Sequence, residues 1–117
     1  MLPDHKSLEN ESFKCLRCDK QITENQIEEV GEWRCPSCNC LLVTKYNNNY
    51  IERKHITEVV EWDFVLLYDG NFYKVFSNNP GKGKRGMDRL MLEGFGYYDF
   101  DHDSYVNCEA RYRYRDE

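Results

Sequence analysis

Long apolar stretches are missing from this chain. No run approaches the roughly 20 residues that a membrane-spanning helix needs, so an integral membrane protein is not expected. The N-terminal segment MLPDHKSLENE has neither a basic start nor an apolar centre, so it does not read as a secretory signal, and a cytoplasmic location is expected. Histidine is scarce, with three residues at positions 5, 55 and 102, which leaves a nucleophile few bases to work with. No paired carboxylates, Ser-His-Asp set or glycine-rich dinucleotide motif stands out, so no enzyme and no small-molecule substrate are expected. Positive charge is in deficit as well: 16 Lys and Arg face 21 Asp and Glu, for a formal charge of −5. That balance excludes a globally basic nucleic-acid binder but not a local basic patch. Residues 1–55 carry 8 positive and 9 negative groups and residues 56–117 carry 8 and 12, so most of the excess acid lies in the second half. A length of 117 residues allows one ordinary domain or two very small ones. The 15% aromatic share is too high for a wholly disordered chain.

Cysteine is what the chain does have. Six occur, at positions 15, 18, 35, 38, 40 and 108. Without an export signal a disulfide framework is not expected, because the cytosol keeps thiols reduced. Cys15-Leu16-Arg17-Cys18 and Cys35-Pro36-Ser37-Cys38 form two CxxC pairs separated by 16 residues. That is the two-pair spacing of a four-thiolate zinc site. Lys14, Arg17, Lys20 and Arg34 lie within two residues of these cysteines and offset thiolate charge, while Phe13 and Trp33 precede the pairs, where aromatics shield a site.

Residues 13–46 with these four cysteines resemble a zinc ribbon. The resemblance implies one structural Zn2+ held by Cys15, Cys18, Cys35 and Cys38; rubredoxin-like iron sites share the spacing. A four-cysteine site is coordinatively closed, so the metal supplies folding energy and not Lewis acidity. The local pattern Cys-x-x-Cys-Asp-Lys…Trp-Arg-Cys-Pro-x-Cys is also similar to Com-type small phage and bacterial regulators, which bind messenger RNA. That likeness implies a regulatory protein of phage or mobile-element origin. Cys40 and Cys108 read as small buried thiols outside the site.

Composition changes near residue 50. Of 17 aromatics, 13 lie from Ile56 onward, and Asn47-Asn48-Asn49 suits a turn or linker. Strands are expected over residues 58–68, 71–76, 89–93 and 109–115, with an Asp69-Gly70 hairpin turn after the first. Short strands in so few residues are expected to close into a barrel, and the pattern resembles SH3-like barrels. The expected organisation is mainly β: a flexible tail (1–12), the ribbon (13–46), a linker (47–55) and a small barrel (56–117), with the ribbon and barrel unfolding separately.

The loop Asn78-Asn79-Pro80-Gly81-Lys82-Gly83-Lys84-Arg85-Gly86 is the one dense basic segment. Its glycines let backbone approach a phosphate, and Lys82, Lys84 and Arg85 supply charge. No Ser or Thr follows the lysine in the frame of a Walker loop. The run Arg111 to Arg115 alternates tyrosine with arginine; stacking and phosphate contact would suit single-stranded nucleic acid, but such tyrosines more often pack in a core with the arginines solvated. Asp99-Phe100-Asp101-His102-Asp103 opens like a calcium loop but lacks Gly at its sixth place and Glu at its twelfth, so an acidic turn is expected. Two functions follow as expectations. One is a regulatory or adaptor protein that binds DNA or RNA through Lys82, Lys84 and Arg85 with Arg17 and Arg34. The other is a factor that docks on a host or defence protein.

Overall fold

Short strands make up most of the elements of this protein, and three of them, FKC, FVL and DRLML, alternate buried with less buried residues. The computed structural model describes Leu2 and residues 5–110. In chain order the elements are β1 (Phe13–Cys15), β2 (Lys20–Ile22), α1 (Glu24–Val30), β3 (Val43–Tyr46), β4 (Asn49–His55), β5 (Phe64–Leu66), β6 (Phe72–Asn79), β7 (Asp88–Leu92), β8 (Gly96–Phe100) and β9 (Tyr105–Glu109). Single 3-10 turns occupy Ile56–Glu58 and Lys84–Gly86. No helix among the described residues is long and apolar enough to cross a membrane.

The mainly β class is as expected, but the sheet is open. Among the described residues its nine strands are ordered β2-β1-β3-β4-β9-β5-β6-β7-β8, all antiparallel. The expected SH3-like barrel therefore does not close, and the reason is β9. Its five residues pair with five of the seven in β4, from Ile51↔Glu109 to His55↔Tyr105, and only Val65↔Cys108 joins it to β5. With both edges of β9 occupied, no described strand remains to cover the free edge of β8. The segment expected as a linker at 47–55 holds the β3–β4 turn and β4 itself, at the centre of the sheet. The alternating Tyr-Arg run at 111–115 lies outside the described residues.

Two apolar clusters fill the structure. Phe13, Cys15, Ile22, Ile27, Trp33, Cys35 and Leu42 form the first, and Ile56, Val59, Val65, Leu67, Val75, Leu90, Leu92, Val106 and Cys108 the second. Cys108 is thus a core thiol, pushed up from its ordinary range by burial. Arg53 joins the two halves. It is 1% exposed, lies 4.9 Å over the Trp33 ring and 5.6 Å over Phe13, and donates from Nε to Asn107 Oδ1 at 2.8 Å. Its Nη2 donates to the Lys6 carbonyl at 3.1 Å and to the Glu11 carboxylate, so part of the expected tail is tied to the sheet. Tyr105 of β9 adds a ring contact to Trp33 at 5.1 Å.

Local differences from expectation have local causes. β5 is shorter than the expected strand because His55 and Glu58 cap a 3-10 turn reciprocally and a tight turn follows at Val60–Asp63. After β5, Leu67 accepts from the Gly70 N–H at 2.9 Å and donates to the Asn71 carbonyl at 3.1 Å. Gly70 has φ 83° and Asp69 does not have a positive φ, so the hairpin uses a three-residue loop ending in a left-handed glycine instead of a two-residue type I′ turn.

Candidate metal centre and basic loop

Each CxxC pair folds as a knuckle whose geometry is written in its short spacer. β1 ends at Cys15, and the Cys18 N–H donates back to Cys15 Sγ at 3.3 Å. In the second knuckle the Ser37 N–H donates to Cys35 Sγ at 3.4 Å. The residue after each pair, Asp19 at φ 56° and Asn39 at φ 64°, adopts the left-handed conformation that lets the chain double back, which Asp and Asn tolerate. Cys40 closes the second turn through its backbone, its carbonyl accepting from the Cys35 N–H at 2.8 Å. The Cys40 thiol is half-buried and is not one of the clustered sulfurs.

The knuckles bring Cys15, Cys18, Cys35 and Cys38 together, with all four Sγ atoms within 4.8 Å of one another. Cys15 and Cys38 are 3.5 Å apart and Cys18 and Cys35 3.9 Å apart. A tetrahedron with metal–sulfur bonds of about 2.3 Å has edges of about 3.8 Å, so the sulfurs already outline such a polyhedron. This crowding perturbs the thiols. Hydrogen bonding to Cys38, and then to Cys15, pushes the Cys18 thiol up to about 12. Burial opposes ionisation of Cys35, yet the backbone N–H groups of Cys38 and Ser37 overcome it and hold that thiol down to about 6. Four thiols at these distances shed all their protons only when a cation replaces them, which is what a metal does. The donor set and its spacing fit a structural metal ion and are compatible with a zinc ribbon.

The surroundings support the site. Phe13 and Trp33 are buried beside it, as expected, and Trp33 is 2% exposed. Lys20 crosses between knuckles to donate to Ser37 Oγ at 3.2 Å, while Lys14 pairs with Asp19 at 3.6 Å. Sequence reasoning missed the helix between the pairs. α1 has a reciprocal cap, Gln26 N–H on Thr23 Oγ1 at 3.2 Å and Thr23 N–H on Gln26 Oε1 at 2.9 Å, and it ends at Gly31 with φ 88°. Thr23-x-x-Gln26 followed by Gly31 was the available signal. Ile27 is the anchor that this helix buries against Trp33 and Cys35.

The five expected nucleic-acid contacts fall in different places. Arg34 is engaged locally: it pairs with Glu58 at 2.8 Å and Glu32 at 3.4 Å and donates to the Asn39 carbonyl at 3.1 Å. Arg17 is exposed in the β1–β2 turn, at one end of the strand order. Lys82, Lys84 and Arg85 are exposed in the β6–β7 loop near the opposite end. Two aspartates hold that loop from beneath. Buried Asp88 accepts the Gly81 N–H at 3.0 Å, and Asp99 accepts the Lys84 N–H at 3.0 Å. Gly83 is obligatory here, since a Cβ on it would meet Asp99 Oδ1 at 2.6 Å and the Met87 carbonyl at 2.9 Å. The remaining acidic run forms the expected turn, where Asp101 accepts from Ser104 N–H at 3.1 Å.

Asp99 makes the loop acid-sensitive. Hydrogen bonds from Arg89, and next from the Lys84 N–H, hold its carboxyl down to about 2. An aspartate depressed in the fold stabilises it above the unfolded value of about 3.9 and loses that contribution as pH falls through the folded one. The expected result is that thermal midpoints of wild type and Asp99→Asn differ near neutrality and converge between about pH 4 and pH 2. Parallel curves over that window would show that Asp99 does not anchor the loop.

Fold and site together define a small, mainly β protein with a four-cysteine cluster placed to hold a metal ion. No family profile, curated protein or solved structure matches the chain.

Proposed function

We propose that this chain is a small zinc-binding regulatory or adaptor protein, without catalytic activity, that binds DNA or RNA. Zinc fits four thiolates in a closed tetrahedral site with a purely structural task, in place of the redox iron that shares the spacing. The nucleic-acid reading rests on the β6–β7 loop. Lys82, Lys84 and Arg85 are exposed there and form no ion pair among the described residues, while the nearby Asp99 carboxylate is already answered by Arg89 at 2.8 Å. Three unpaired cations on this loop recognise phosphate by charge, while the N–H groups of Gly81, Lys82, Gly83, Lys84 and Gly86 are spent inside the fold and hold the loop in shape.

Fluorescence anisotropy of the zinc-loaded protein against salt tests this reading. Contact with about three phosphates of a single strand gives a slope of log affinity on log salt of roughly −2. Changing Lys82, Lys84 and Arg85 to Ala together is expected to flatten that slope and weaken binding similarly for all sequences, because phosphate contacts position without specifying. The formal charge of −5 favours a second reading, docking on a host or defence protein. Equally poor binding of DNA and RNA by wild type and triple variant at low salt would leave only that second reading.

A further inference from the structure

The outward face of β6, β7 and β8 carries a row of exposed apolar side chains. Val75, Leu90 and Leu92 point into the core, so their neighbours point out. Ser77 pairs with Met91 and Met91 with Tyr97, and a bulge between Val75 and Ser77 inserts Phe76 beside this row. Phe76 is 51% exposed, Tyr97 53% and Trp62 59%. Trp62 reaches the same face from the turn before β5: the Lys74 ammonium lies 4.1 Å from its ring centre and 5.5 Å from that of Phe76. Arg89 covers Tyr97 at 3.8 Å. A planar ring with a cation on one face still offers the other.

Trp62 is held out at a conformational cost. It has φ 82° at the third position of the Val60–Asp63 turn, where glycine is favoured. Asp63 enforces the turn by accepting from the Val60 N–H and from Lys54, both at 2.9 Å, and the Trp62 N–H is fixed on the Val75 carbonyl at 3.0 Å. A bulky, exposed aromatic kept in such a conformation points to a use outside the fold. The basic loop adjoins this row, since Lys84, Met87, Arg89, Tyr97 and Asp99 line one groove.

We propose that Trp62, Phe76 and Tyr97 form a stacking platform for the unpaired bases of a single-stranded nucleic acid, whose phosphates lie along Lys82, Lys84 and Arg85. The inference deepens the nucleic-acid reading and rests on it. Rings with interleaved cations beside a basic loop take a strand whose bases are splayed out, and a duplex keeps its base faces inside its own stack. Sequence tolerance follows, because every base has a π-face.

The test compares three fluorescent probes of equal length, about 12 nucleotides each: a pyrimidine single strand, an abasic strand and a blunt duplex. The full zinc-loaded protein is expected to bind the single strand about tenfold or more tighter than the other two, with quenching of Trp62 emission. Trp62→Gly and Tyr97→Ala are each expected to weaken that binding about 5- to 100-fold while the abasic strand is unaffected. Tyr97→Phe, which keeps the ring, is expected to retain it. Unchanged zinc content and unchanged emission of the buried Trp33 certify that the variants fold. Equal binding of abasic and base-containing strands overturns the platform and leaves the phosphate-binding loop standing. Binding of no probe at low salt overturns the platform and the nucleic-acid reading together, leaving the face to a protein partner.

Discussion

Arg53→Ala is expected to destabilise the protein by about 3–5 kcal/mol, the range for removing one partner of a buried charge network. Arg53 stands at the middle of β4 and is almost fully buried, which is unusual for an arginine. The cost of that burial is offset by the Asn107 amide, the Lys6 carbonyl, the Glu11 carboxylate and two aromatic faces. Truncation leaves Asn107 and Glu11 without their donor and a void beneath Trp33. Since whole-domain stability is about 5–15 kcal/mol, the loss takes a large fraction of it and lowers Tm on the order of 15 °C. Arg53→Lys is not expected to rescue, because one ammonium does not reproduce the planar fork that serves three acceptors and stacks on rings. Metal affinity is expected to fall about tenfold as well, since Trp33 lies two residues before Cys35 and supports it. Thermal melts and a zinc-competition titration read both effects; a Tm within a few degrees of wild type would show that Arg53 does not link the halves.

How far the sequence foretold this structure depends on the range of the signal. The four ligands were legible because knuckle geometry is local: two residues between cysteines leave few ways to wrap a sulfur. β7 was legible for the same reason, its apolar residues ending at Gly94. What failed was everything decided at long range. Asn47-Asn48-Asn49 did mark a turn, but nothing in residues 49–55 announced the central strand, because β4 carries Glu52, Arg53 and Lys54 where a buried strand is expected to be apolar. Buried Arg53 is tolerated through partners far along the chain, Asn107 and Glu11, while Lys54 meets Asp63. β8 was hidden behind Gly94, Gly96 and Asp99, which read as turn residues until Arg89 supplies the partner for Asp99. Closure into a barrel was the default for short strands; it gave way because β9 found a five-residue partner in β4. Charge alone singles out Arg34 as a candidate phosphate contact, and charge does not show that it is already paired with Glu58.

Removing the metal is expected to unfold the protein in one transition, against the separate unfolding that the composition of the two halves implied. In zinc-finger peptides the bound metal contributes an apparent 10–16 kcal/mol, as much as or more than the stability of an ordinary domain. Without it, Cys15 and Cys35 remain as buried thiols in a small cluster whose other members hold β1, β2 and α1 in place. Loss of that cluster removes Phe13 and Trp33 from over Arg53, which then carries a buried charge in the middle of β4. β4 in turn pairs with β9 through five residues, and β9 contributes Val106 and Cys108 to the second core. The damage therefore has a direct route from the cysteines to the far cluster. Cys35→Ser with Cys38→Ser is expected to abolish metal binding and reproduce the chelator result, while Cys40→Ser leaves one metal per chain by elemental analysis. Trp33 emission and the far-UV β signal, followed together during titration with a strong chelator, decide the matter. Coincident loss means that the shared sheet makes one cooperative unit. A shift of Trp33 to longer wavelength while most of the β signal persists would mean that the second cluster stands alone and that β4 and β9 stay paired even when Arg53 is uncovered.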